Sequence, residues 1–226
     1  DGSSLEFAGP VNFDGGLTLG TDDMASGHPQ VARAHVTFSA AFGSIKSSAL
    51  SVWGGVTLRL AASASSLNGR FLSLDDGYGK LHSALELAAD HAITNMEYIL
   101  IGHCGRVDFG STKQYWPKVN TTKQERCVAE TVMTGRLGSE LQVADGMIRQ
   151  KVEGALSLRA CGPSGSFFGL TNVVSTSVGD ISVDSGTLAF DAGSSWLNGT
   201  NVTVRGAGRL EIAQSRTFDK RRAVLR

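Results

Sequence analysis

Asp75, Asp76, His103, Arg149 and Lys151 are the residues of this chain whose types and order suit acid-base cleavage of a sugar bond. In such chemistry one carboxyl group protonates the leaving oxygen and a second activates water, while basic groups beside them hold an acidic sugar. The triplets Asn12-Phe13-Asp14, Gly102-His103-Cys104 and Arg149-Gln150-Lys151 carry some of these groups, yet each consists of common residues. Asp75-Asp76 runs straight into Gly77, which is also how a turn is written. Tyr115 and Trp116, beside Lys113 and Lys118, offer a different chemistry, the stacking of rigid amphipathic rings on a sugar or a peptide. The competing expectation for this pair is a surface excursion whose aromatic rings fold back onto the body.

Other site chemistries find less support. Gly165-Ser166-Phe167 and Gly193-Ser194-Ser195 lack the Gly-x-Ser-x-Gly elbow of a serine nucleophile, and the five His suggest no triad partner. No Gly-x-Gly-x-x-Gly opens a helix to cradle a phosphate. Cys104, Cys127 and Cys161 are odd in number and match no CxxC spacing, so neither a zinc site nor a full disulfide framework is indicated. The acids are scattered through turn sequences, unlike the clustered carboxylates of a calcium site. No metal and no cofactor is expected.

The elements that must position these residues follow from composition and spacing. The 226 residues suffice for one domain, and the 21 basic residues cancel the 21 acidic ones, which argues against long-range attraction of nucleic acid. Apolar residues make up 41% and charged ones 19%, too hydrophobic a balance for a disordered chain, yet no apolar run is long enough for a membrane helix. Gly is frequent at 28 residues while Pro is rare at 4, so turns are many and are made by Gly between short apolar segments. All-β is the expected class.

An apolar-x-apolar triplet recurs along the chain: Leu17-Thr18-Leu19, Leu58-Arg59-Leu60, Leu72-Ser73-Leu74, Leu85-Glu86-Leu87, Val107-Asp108-Phe109, Leu141-Gln142-Val143, Leu156-Ser157-Leu158, Leu188-Ala189-Phe190 and Leu210-Glu211-Ile212. Each reads as a short strand with two residues facing in and one facing out. Leu85 to Val107 and Leu188 to Leu210 are both steps of 22 residues. A loosely kept repeat of that length fits a β-solenoid, whose coils bury their apolar faces by stacking, and the chain would make about ten coils. A β-sandwich is the alternative. The expected inward residues include Leu58, Val107, Ile181, Val183, Leu188, Phe190, Val202, Val204, Leu210 and Ile212, with Gly186 and Gly208 at corners.

The run Ile181-Ser182-Val183-Asp184-Ser185-Gly186-Thr187-Leu188-Ala189-Phe190, followed by Asn201-Val202-Thr203-Val204 and Gly208-Arg209-Leu210-Glu211-Ile212, resembles the autotransporter-associated β-strand repeat. The resemblance is good over 171–214, recognisable near 50–60 and 99–110, and poor elsewhere. It implies a right-handed parallel β-helix and an exported, rod-like stalk or adhesin-type segment of a bacterial surface protein. The order of the triplets in the opening paragraph is similar to that of polygalacturonase-like β-helix hydrolases, with Asp75, Asp76, His103, Arg149 and Lys151 in the matching places. The His motif lacks its second Gly, so this enzymatic reading, like that of a carbohydrate-binding module, stands as an alternative.

Two stretches depart from the repeat. Leu81, Leu85, Ala88, Ala92 and Met96 stand at helical spacing, so an amphipathic helix competes with strands over 80–98. The polar run of 111–134 reads as an inserted loop carrying Tyr115 and Trp116. The chain starts at Asp1, without a leader, and ends in a basic stretch with no closing turn, so a single β-helix segment over 1–226, part of a longer polypeptide, is expected. Its expected partner is a glycan or host-surface ligand, without nucleic acid or membrane insertion, and the segment is expected to be monomeric and extracellular.

Overall fold

Short apolar-x-apolar segments bury one face when they stand side by side, and nearly all of those in this chain do so as strands. The computed structural model describes residues 2–9, 15–20, 33–40, 49–62, 67–74, 82–102, 105–122, 132–196, 198, 201–213 and 223–225. Among them the protein is all-β, without a helix. Numbered along the chain, β1 (Ser3–Phe7), β3 (Ala34–Phe38), β5 (Val56–Leu60), β7 (Ala84–Leu87), β9 (Arg106–Asp108), β11 (Val132–Gly135) and β13 (Lys151–Gly154) form one sheet in that order. The second sheet runs β2 (Leu17–Leu19), β4 (Ala49–Val52), β6 (Leu67–Leu74), β8 (Ile93–Ile101), β10 (Lys113–Thr121), β12 (Glu140–Ile148), β14 (Ser157–Cys161), β17 (Ile181–Phe190), β19 (Val202–Ile212) and β20 (Ala223–Leu225). The strand β15 (Phe167–Leu170) lies between β12 and β17 in that sheet, and β16 (Val174–Ser175) pairs with β18 (Ser195–Trp196).

Pairing is parallel throughout, which departs from the β-sandwich alternative, an antiparallel architecture. Through the first thirteen strands the chain alternates between the two large sheets, so each strand meets the one two places on. Parallel neighbours need a crossover connection, and here the crossover is the intervening strand of the other sheet. Leu58 stands opposite Leu85, and Leu85 opposite Val107, so the 22-residue frame read from the sequence is a true register. Leu188 and Leu210 are likewise paired. One continuous apolar cluster draws on both large sheets, from Val36 and Leu50 through Leu85 and Ile99 to Val183 and Val202.

The expected inward residues from Leu58 through Phe190, and Val202 with them, are buried. Val204 and Leu210 are only partly buried against the core, and Ile212 is 45% exposed. The reason is position: β20 pairs with Val202–Val204 alone, so among the described residues nothing lies beyond the second half of β19. Gly186 and Gly208 do not sit between separate strands but inside β17 and β19, where the pairing slips between Val183 and Ser185. The slip flips the inward parity from 181 and 183 to 186, 188 and 190. Gly186 takes a φ of 71°, which a residue with a Cβ adopts poorly.

The competing helix over 80–98 is corrected by β7 and the start of β8, where Leu85 and Leu87 point inward at period two. The inserted loop is corrected too: Lys113–Thr121 is the nine-residue β10, in register with β12. Residues 123–131 of that stretch lie outside the described residues. Gln114, Trp116 and Val119 point inward, while Lys113 and Lys118 point outward. Pro117 has no N–H to give the ladder, and the pairing with β12 steps over it from Trp116 to Lys118. Gln114 is a buried polar group with its needs met: its amide donates to the Ala89 carbonyl and Thr112 Oγ1, and accepts from the Ala92 N–H.

Candidate functional site

Asp75, Asp76 and His103 lie outside the described residues. Arg149 and Lys151 flank the turn from β12 to β13, and both are engaged. Arg149 donates through its backbone N–H to Thr121 Oγ1 at 2.6 Å and through Nη1 to the Thr121 carbonyl at 3.3 Å. Lys151 Nζ stands 2.6 Å from Glu153 Oε1. Gln150 between them is buried, with neither amide atom hydrogen bonded.

Tyr115 and Trp116 are neighbours in β10, so their side chains leave the strand on opposite faces. Trp116 has no exposed surface and packs its ring 5.3 Å from that of Phe109, which corrects the expectation that both aromatics meet a ligand. Only Tyr115, half-buried, remains on the outer face.

That outer face is built by register. Tyr115 stands opposite Gln142, Gln142 opposite Arg159, and Arg159 opposite Ser182, so side chains far apart in sequence form one row across four strands. Beside it lie Lys113, Glu140 and Ser157 in a parallel row. Arg159 ties the two rows together. Its Nε donates to Asp184 Oδ2 at 2.6 Å, Nη2 also contacts that oxygen, and Nη1 is 3.9 Å from Glu140 Oε1. Gln142 donates to Glu140 Oε1 at 2.5 Å. The hydrogen bond to Asp184 holds the Arg159 proton more firmly than usual, against the opposing effect of burial.

Both carboxylates of this cluster are therefore held by one guanidinium, an arrangement that fixes strands to one another. Cys161, next on the same strand, is a free thiol that burial pushes up, with Arg159 pulling the other way, so it is a poor thiolate source. Among the described residues, no group of three or more His, Cys, Asp or Glu is placed to hold a metal. The sequence analysis missed Glu140, Arg159 and Asp184. The signal was present, since each takes an outward place beside the apolar residues of its strand, and one-coil offsets bring them together.

Two surface hollows adjoin the sheets. A largely apolar groove of about 280 Å³ runs past Met147, Phe167 and Ile212, with Asp191 and Glu211 on its border. A second, of about 270 Å³, crosses the other sheet over Gly55 and Ala84 and is rimmed by Arg33 and Arg106. Neither brings a pair of carboxylates together in the way hydrolysis of a glycoside requires. No protein-family model, no curated protein and no solved structure matches the chain.

Proposed function

We propose that the chain is a right-handed parallel β-helix of the autotransporter-associated repeat type, serving as a structural or adhesive stalk segment of an exported bacterial surface protein. The observation that carries this reading is the pairing of each strand with the one two places on, in parallel and with steps near 22 residues. Such a chain climbs by one strand spacing per coil, about 4.8 Å, and about ten coils give a rod on the order of 50 Å long. Interior residues then fill a narrow core, and the outward rows face solvent or a partner. The engagement of Arg159 by both Glu140 and Asp184 supports a face that holds coils together more than one that turns over a substrate.

The test is adhesion measured beside catalysis. Beads coated with the whole chain are expected to stay on a mammalian cell monolayer or on a glycan array after washing, with no reducing or unsaturated sugar released from pectins and host glycans. Sugar release that disappears in Asp76→Asn, with the fold retained, would replace the reading with that of a hydrolase.

A further inference from the structure

The hollow over Gly55 and Ala84 owes its existence to register. His35, Thr57, Ala84 and Arg106 stand in one outward row across β3, β5, β7 and β9. Two residues earlier on three of the same strands come Arg33, Gly55 and His82, which the pairing places in a second row beside the first. Gly55 has no side chain and Ala84 only a methyl, so the middle of the double row is low. Its ends are tall and basic, with Arg33 and His35 at one side and His82 and Arg106 at the other.

No carboxylate lines this hollow. The next outward row along the strands does hold acids, but Glu86 is 3.4 Å from Arg59 and Asp108 accepts the Gly110 N–H at 2.8 Å. Arg33 and Arg106 make no ion pair among the described residues, and both are exposed. In a chain of zero net charge, two guanidiniums and two imidazoles around a floor of small residues mark a separation of charge without an internal partner. Guanidiniums bind oxyanions through paired N–H donors, and the Thr57 hydroxyl between them supplies a further donor.

We propose that this hollow binds the sulfate or carboxylate groups of a linear acidic polysaccharide. The row from His35 to Arg106 spans three strand spacings, about 14 Å, and one spacing of about 4.8 Å is close to the rise per sugar of an extended polysaccharide chain. Successive charged groups on one chain can therefore meet successive basic positions. A single-stranded nucleic acid is the poorer fit, because the lining has no Phe, Tyr or Trp on which bases stack. The proposal deepens the adhesive reading and rests on it for the choice of a polymer over a free anion.

The experiment measures binding of the whole chain to dextran sulfate, uncharged dextran, inorganic sulfate and single-stranded DNA at fixed ionic strength. The expected result is binding to dextran sulfate, much weaker binding to the other three, and a loss of about tenfold or more in each of Arg33→Ser and Arg106→Ser. Arg205→Ser, which removes the same charge from an exposed position on β19, is expected to bind like the parent. Both exposed substitutions should leave the melting temperature unchanged, so a loss of binding is read as a loss of the site. Equal loss in Arg205→Ser, equal affinity for DNA or for inorganic sulfate, or no binding to dextran sulfate would each overturn the proposal. Failure here leaves the parallel register standing, since that is read from backbone contacts.

Discussion

Asp191 shows how single residues close the turns between strands. Burial alone would raise its pKa, but the Ser194 hydroxyl donates to Oδ1 at 2.7 Å, and the N–H groups of Asn172 and Gly193 donate to the carboxylate at 3.1 and 3.0 Å. The hydrogen bonds win, and the pKa lies below the usual carboxylate range. A depressed acid contributes stability above its unfolded pKa, about 3.9, and loses it as pH falls through the lower folded value. Asp191→Asn should therefore lower stability at pH 7 by about 1 kcal/mol, and the gap should close in melts taken near pH 3. A gap as wide at pH 3 would show that shape, not charge, is what the turn uses. Trp116 illustrates why the site was less legible than the strands. In Lys113-Gln114-Tyr115-Trp116-Pro117-Lys118-Val119 the inward Gln114 looks polar and Pro117 looks like a break, so the alternation that buries Trp116 is hidden. Only tertiary partners, the Ala89 carbonyl and the Ala92 N–H, make Gln114 an inward residue.

At the scale of the element, the long strands are two short ones joined at a kink. The first half of β12 pairs with β14 and its second half with β15, and β17 accepts the same two partners on its other edge. Gly146 is the kink of β12, with a φ of 121° and a backbone so close to the Val119 carbonyl that a Cβ would collide with it. Gly146→Ala should cost at least about 2 kcal/mol in urea unfolding, because strain and collision add. Gly9→Ala, with nothing within 4 Å of the added carbon, should change stability little. Equal effects of the two substitutions would mean that the kink is not built as described. The repeat frame was legible because its inward residues recur at period two and because Leu85 to Val107 and Leu188 to Leu210 keep one step. The kinks were not, since a parity flip looks like a corner between strands when only the sequence is read. Over 80–98 the short apolar runs fit both periods, and only the parallel partners of Leu85 and Ile99 decide for strands.

For the molecule as a whole, the central claim is that the chain winds so that distant segments become parallel neighbours. β17 is the sharpest case, lying between β14 with β15 on one edge and β19 on the other. Steps such as Leu58 to Leu85, 27 residues, and Leu141 to Leu158, 17 residues, show that coils of unequal length keep one core by varying their turns. Core residues stay in line while the turns absorb the difference, which is how a solenoid tolerates a loose repeat. The most direct measurement is the pattern of backbone nuclear Overhauser effects around Leu188 in the isotope-labelled chain. The account predicts contacts from Leu188 to Phe168 on one side and Leu210 on the other, with the sequential offsets of parallel strands. Close Hα–Hα contacts between consecutive strands, the mark of antiparallel hairpins, would contradict it.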